Sequence, residues 1–115
     1  MVTQWMEKRD RPESSLERIH ELAAQQEVAY GSTRVQRHID NLGYSLEAVC
    51  ECLRCLTPGH FQHSVRYSAN GPWQDVYLIT YRSPSNHDDD LYIKLKLTRD
   101  CICVVLCSFH SEGAT

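Results

Sequence analysis

The sequence predicts an α+β fold in which N-terminal helices pack on one face of a C-terminal antiparallel β-sheet. Apolar residues recur at helical spacing in the first half of the chain, whereas they alternate as in strands from residue 65 onward. Turn formers such as Asn70-Gly71-Pro72 separate the strand-like segments. Helices early and strands late are typical of this class, and a length of 115 residues suits a single domain, 1–115.

Three amphipathic segments in the first half each follow a residue that can cap a helix. Ser14 and Glu17 have the spacing of a capping box. The predicted helices run from Ser14 to about Gln26, from Ser32 to Gly43 and from Ser45 to Leu56. Thr57-Pro58 predicts a further short helix through about His63, and residues 28–30 a short strand.

The second half predicts an antiparallel meander. Its strands are expected at 65–68, 73–82, 91–98 and 102–109, and the polar loop 83–89 lies between the second and third. The last strand is apolar at nearly every position, so we expect it to be central and covered on both faces. We expect residues 1–5 to be an extension and 111–115 a frayed tail.

Composition limits the classes of function. The net charge of −3 argues against tight, extended RNA binding, which is typical of basic domains. The charges are uneven, however, because Arg66, Lys94 and Lys96 lie in the strand half and most acids lie elsewhere. No apolar run approaches ~20 residues and no secretory signal is evident, so we expect a cytoplasmic protein without a membrane span.

Six cysteines fall into two clusters, residues 50–55 and 101–107. One interpretation is a structural zinc site. The spacing argues against it, because neither cluster has the paired C-x-x-C pattern on loops that zinc ribbons use. Reduced cysteine also packs well as a small hydrophobe on a buried helix face or strand. We therefore expect no metal and no other cofactor.

Polar side chains on the strands predict a functional surface. Gln74, Tyr92 and His110 lie on neighbouring strands, with Lys94 and Lys96 about 7 Å apart on one strand face. These groups suit binding of a phosphodiester and proton transfer around it. Each also has a purely structural interpretation: a strand-face amide, a packing aromatic, the start of a tail or a solvated lysine face.

Three motifs carry a family resemblance. Residues 73–77 (W-Q-D-V-Y), 92–97 (Y-I-K-L-K-L) and 108–110 (S-F-H), with 6–9 (M-E-K-R), resemble the MqsR-type toxins of bacterial toxin–antitoxin modules. The resemblance extends over about residues 6–109. It implies a RelE-like fold, ribosome-independent endoribonuclease activity on an mRNA substrate, and a cognate antitoxin as partner.

The resemblance also implies catalytic roles. Gln74 matches the family's active-site glutamine and Tyr92 its tyrosine, whereas His110 and His63 stand where the family has lysines. A histidine titrates near ~6.5, so it can act as base or acid at neutral pH without a large pKa shift. The lost constant charge would have to come from the RNA-binding residues, Arg66, Lys94 and Lys96.

The role of His110 depends on one hairpin. A two-residue turn at Arg99-Asp100 would pair Tyr92 with Cys107 and place His110 on the opposite face. A longer turn or a bulge near residues 98–102 would bring His110 to the face of Tyr92. Two non-catalytic alternatives remain: an RNA-binding module with the same fold, and a protein-interaction domain that uses the sheet edge and apolar helix faces.

Overall fold

A computed structural model describes residues 5–113, which form three α-helices and a six-stranded sheet. The helices are α1 (Leu16–Ala24), α2 (Thr33–Leu42) and α3 (Leu46–Arg54). The strands are β1 (Glu7–Arg9), β2 (Val28–Tyr30), β3 (Phe61–Arg66), β4 (Gln74–Arg82), β5 (Asp88–Leu97) and β6 (Val104–Ser111). The predicted α+β class is confirmed. The expected extension over residues 1–5 lies outside the described residues except for Trp5, as does the end of the expected tail, residues 114–115.

The strand order is β1-β3-β4-β5-β6-β2. Strands β3 to β6 form the predicted antiparallel meander. The N-terminal half supplies both edges, since β1 lies antiparallel to β3 and β2 lies parallel to β6. The sheet is therefore mostly antiparallel with one parallel pair, and its outer strands are each only three residues long.

Serine side chains cap all three helices. The hydroxyl oxygens of Ser32 and Ser45 accept the backbone N–H three residues on, as predicted. For α1 the cap is Ser15 and not Ser14, because it is Ser15 Oγ that accepts the N–H of Arg18. Gly43 ends α2 at φ 79°, a left-handed conformation that glycine adopts at no steric cost.

The predicted short helix through His63 is wrong. A single 3₁₀ turn, Pro58–His60, ends at once and the chain enters β3 at Phe61. His63 therefore lies on a strand, opposite Val76 of β4. The proline correctly marked a helical start, but cross-strand pairing with β4 prevails over continuation of so short a helix.

One face of the sheet carries the hydrophobic core. Helices α1 and α3 pack against each other there, and the core includes Ile19, Leu22, Ile39, Val49, Leu53, Tyr77, Ile93, Leu95, Leu106 and Phe109. The other face is only partly covered. In β6, Val105 and Cys107 are half-buried, so the expectation that this strand is covered on both faces is wrong.

The β5–β6 hairpin decides the register of the last strand. Leu97 pairs with Val104, so residues 98–103 form the connection in place of a two-residue turn. A bulge at Cys107 then shifts the ladder by one residue, since Leu95 pairs with Leu106 but Lys94 pairs with Ser108. As a result Phe109 faces the core opposite Ile93.

Asp75 ties the start of α1 to the sheet. Its fully buried carboxylate accepts the backbone N–H groups of Glu13 and Ser14, each at 2.9 Å, and the hydroxyl of Ser64 on β3. The motif at residues 73–77 thus contains a structural carboxylate next to the predicted active-site Gln74. The contacts fix the segment between β1 and α1 against β3 and β4.

Within residues 5–113, all six cysteines are free, and Cys50 and Cys52 are buried on α3. No three histidine, cysteine or acidic side chains of this range lie close enough to hold a metal ion. None of the helices in the described range is sufficiently long and apolar to span a membrane.

Candidate active site

The candidate site lies on the sheet face opposite α1 and α3. Residues paired across a sheet point to the same face, so the ladder aligns His63, Val76, Lys94 and Ser108 in one row across four strands. The next row contains Tyr92 and His110, which are directly paired. Lys94 therefore lies on the central strand of this surface, with the two histidines on either side of it.

Tyr92 and His110 form a ring stack. Their centroids are 5.1 Å apart and their planes differ by 9°, so the imidazole lies flat against the phenol. Parallel packing of two half-buried rings restricts the rotation of both side chains. Tyr92 is thereby held beside His110, and the bulge at Cys107 is what brings the two residues opposite each other.

The hydrogen bond of His110 identifies its reactive nitrogen. Nδ1 lies 2.8 Å from the carbonyl oxygen of Ser111. A carbonyl oxygen only accepts, so Nδ1 carries the proton and donates in this contact. In the neutral ring Nε2 is then the atom that can accept a proton, and in the charged ring it is the atom free to give one up.

Lys94 is held by Tyr67, which follows β3. Its Nζ donates to the Tyr67 hydroxyl at 2.7 Å and lies 4.9 Å from the centre of that ring. These two contacts fix the lysine stem over the open face of the sheet and hold the amino group beside the Tyr67 ring. This arrangement can place positive charge against a phosphate above β5.

Neighbouring groups shift the pKa of two site residues. Partial burial and the positive charges of Lys8 and Lys94 lower the pKa of His63, and Asp10 partly offsets this effect. Burial raises the pKa of Tyr92, with Lys94 opposing. At neutral pH His63 is therefore mainly the neutral imidazole, suited to accept a proton, and the Tyr92 hydroxyl keeps its proton.

Gln74 and Lys96 lie on the same face, further from the ring stack. Gln74 begins β4 opposite Val65, two residues before Val76, and its side chain is half-buried. Lys96 lies two residues beyond Lys94 on β5, opposite Val105. The structure thus brings six of the seven predicted site residues to one face.

Arg66 is the exception. It points to the opposite face, where its Nε donates to Glu7 Oε1 at 2.7 Å and its guanidinium stacks 4.6 Å from the centre of the Trp73 ring. Arg9 covers the same ring from 4.2 Å. A role for Arg66 in RNA binding stays a prediction, and it is a role apart from this cluster.

Three residues of this face were not predicted from the sequence. Lys8 of β1 lies opposite Val65 and lowers the pKa of His63, Tyr67 holds Lys94, and the His38 ring on α2 contacts His110. Of the three, His38 has a signal in the sequence. A helical wheel of α2 could have flagged it, because it borders the apolar stripe formed by Val35 and Ile39.

The fold and this face together define a small α+β protein whose open sheet surface carries histidine, tyrosine and lysine groups suited to a phosphodiester. The family described as "Motility quorum-sensing regulator, toxin of MqsA" matches residues 11–111. The chain therefore belongs to the MqsR toxin family, and the resemblance predicted from the motifs is confirmed. Curated individual proteins gave no match.

Membership of this family establishes the general function of the protein. The protein is a toxin of a toxin–antitoxin system, and the family's antitoxin partner is MqsA.

Proposed function

We propose that this toxin is a metal-independent endoribonuclease that cleaves single-stranded mRNA in the cytoplasm and thereby arrests translation and growth. The observation that carries the proposal is the stack of His110 on Tyr92 beside the fixed ammonium of Lys94. An imidazole with a free Nε2, a protonated phenol and an accessible cation are the groups that phosphodiester cleavage needs without a metal.

His63 acts as the base. Its lowered pKa keeps it neutral at pH 7, so it can take the proton of the RNA 2′-hydroxyl. The 2′-oxygen then attacks the adjacent phosphorus. The pentacovalent intermediate carries extra negative charge, which Lys94 and Lys96 stabilise from β5 and Gln74 supports by hydrogen bonding.

His110 acts as the acid. Protonated at Nε2, it gives its proton to the 5′-oxygen as the P–O bond breaks, and the products are a 2′,3′-cyclic phosphate and a free 5′-hydroxyl. Tyr92 positions the imidazole and, with its own proton, can donate a hydrogen bond to a phosphate oxygen. His63 and His110 lie three strand spacings apart and are offset by two residues along the strands, roughly 16 Å between backbones, so the phosphate would bridge them with Lys94 beneath it.

A labelled single-stranded RNA incubated with purified toxin in EDTA tests the proposal. Cleavage should persist in EDTA, leave a 2′,3′-cyclic phosphate, and vanish when the scissile nucleotide is 2′-deoxy. Loss of cleavage in EDTA with recovery in Mg²⁺ would show that the mechanism is not metal-independent. In cells, Gln74→Ala or Tyr92→Phe should relieve growth arrest while the protein stays folded.

One observation favours a non-catalytic alternative. The net charge of −3 is unusual for a protein that binds RNA tightly. It suits a module that acts by binding a macromolecule and not by cleaving it. The same assay separates the two. Retention of labelled RNA without new products would indicate an RNA-binding module, and neither retention nor cleavage would indicate a protein-interaction domain.

A further inference from the structure

Helix α2 extends the candidate site beyond the sheet. The His38 ring lies edge-to-face against His110, with centroids 5.4 Å apart and planes at 79°. His110 is thus bordered by β5 through Tyr92 and by α2 through His38. A strand of RNA that passes over His110 would meet this helix next.

Two arginines share the face of α2 that borders His110. Successive helical residues are rotated by about 100°, so Arg34 lies between His38, about 40° to one side, and Arg37, about 60° to the other. Both arginines also act electrostatically on His38, which agrees with this placement. Asp40 lies on the far side of the helix from His38. It follows Arg37 by three residues, but its carboxylate accepts a hydrogen bond from the Gln36 amide and forms no ion pair with that arginine.

Neither of these arginines forms an ion pair within the part of the chain that the structure describes. Arg9, Arg18, Arg66 and Arg82 each form an ion pair with a carboxylate. Within the described range 5–113, Arg34 and Arg37 make neither an ion pair nor a side-chain hydrogen bond, and both are exposed. Side chains three apart on a helix are about 5–6 Å apart, close to the spacing of consecutive RNA phosphates.

We propose that Arg34 and Arg37 form a phosphate-binding subsite that holds the RNA backbone on the His110 side of the scissile phosphate. The subsite rests on the proposed ribonuclease function and defines its substrate further: the RNA must extend past His110 by at least the nucleotides that reach α2. It also supplies constant positive charge next to a histidine that stands where the family has a lysine.

Binding of a non-cleavable RNA, 2′-deoxy at the scissile nucleotide, tests the subsite at several salt concentrations. The double variant Arg34→Gln/Arg37→Gln should bind about 10-fold more weakly at low salt. The slope of log K against log salt should fall by about 1.4, since each phosphate contact on a single strand contributes about 0.7. Arg54→Gln is the matched control, an exposed arginine of α3 on the other side of the sheet.

Length dependence locates the subsite. With RNAs shortened one nucleotide at a time from each end, the penalty in the double variant should disappear at one end only, once the phosphate over α2 is missing. In cleavage assays the loss should appear in KM and leave kcat close to that of Arg54→Gln.

The outcomes are distinguishable. If the wild type binds and cleaves RNA and the double variant has the salt slope of Arg54→Gln, the subsite is refuted and the ribonuclease proposal stands. If the wild type neither binds nor cleaves RNA, both the subsite and the ribonuclease proposal are refuted.

Discussion

Tyr92 and His110 occupy directly opposite positions on β5 and β6, and their rings stack in parallel at 5.1 Å. The contact depends on an irregular strand, because a regular ladder from the Leu97–Val104 pair would set Phe109 against Tyr92. The bulge at Cys107 therefore serves two purposes at once. It buries Phe109 in the core and presents His110 to the open face.

Replacement of His110 by alanine should lower the rate of RNA cleavage on the order of 10²-fold, the usual contribution of a general acid. The alkaline limb of kcat/KM against pH, which reports loss of the acid's proton, should disappear. His87→Ala provides the control, since this exposed imidazole lies in the β4–β5 turn beside Asp89. An unchanged profile in His110→Ala would transfer the acid role to Tyr92 or Lys94.

The charges near His63 should set the acid limb of the same profile. Lys8 helps to lower the pKa of His63 and Asp10 opposes it. A base is active only when deprotonated, so activity is lost as the pH falls through this pKa. Lys8→Gln removes a positive neighbour and raises the pKa, which should move the limb to higher pH, whereas Asp10→Asn should move it lower. Shifts in the same direction in both variants would refute His63 as the base.

A one-residue insertion in β6 should test the register that places Phe109 in the core. A glycine inserted between Ser108 and Phe109 displaces Phe109 from its position opposite Ile93, and we expect destabilisation of about 3–5 kcal/mol, as for loss of a buried phenylalanine. Deletion of Cys107 is the control. It converts the bulge to a regular ladder in which Phe109 still faces the core. Urea unfolding measures the free energy of unfolding of the two variants. Equal stability of the insertion variant and the deletion variant would contradict the register.

Asp75→Ala should destabilise the fold by about 3 kcal/mol, because the N–H groups of Glu13 and Ser14 and the Ser64 hydroxyl lose their acceptor. Asp75→Asn, which keeps one acceptor oxygen, should cost less. The midpoint of urea unfolding should fall in that order while the m-value stays constant. A midpoint equal to that of the wild type in Asp75→Ala would show that the tie between α1 and the sheet contributes nothing to stability.

The sequence was sufficient for the three helices, for most of the strands and for most of the candidate face. Periodicity and caps predicted α2 and α3 closely, and the alternation of β5 correctly placed Tyr92, Lys94 and Lys96 on one side. These features repeat within a few residues, so local patterns reveal them.

Features that depend on contacts between distant parts of the chain could not be predicted from local sequence patterns. Strand β1 has only three polar or charged residues, and nothing in them predicts a strand before β3 is present to pair with it. Arg66 was grouped with the lysines by charge, but its position in the β3 register turns it toward Glu7 and Trp73. His38 reaches the site only because α2 packs against β6.

The order of the strands has a consequence during synthesis. At ~5–20 residues per second, helices α1 to α3 and strands β1 to β5 are all made before β6, which supplies Val104, Leu106 and Phe109 to the core. Edge strand β2 has no partner until β6 exists, and His110 has not yet been translated. A nascent chain on the ribosome thus lacks the proposed general acid. Under the proposed mechanism, that chain cannot cleave the mRNA that encodes it until β6 has been made.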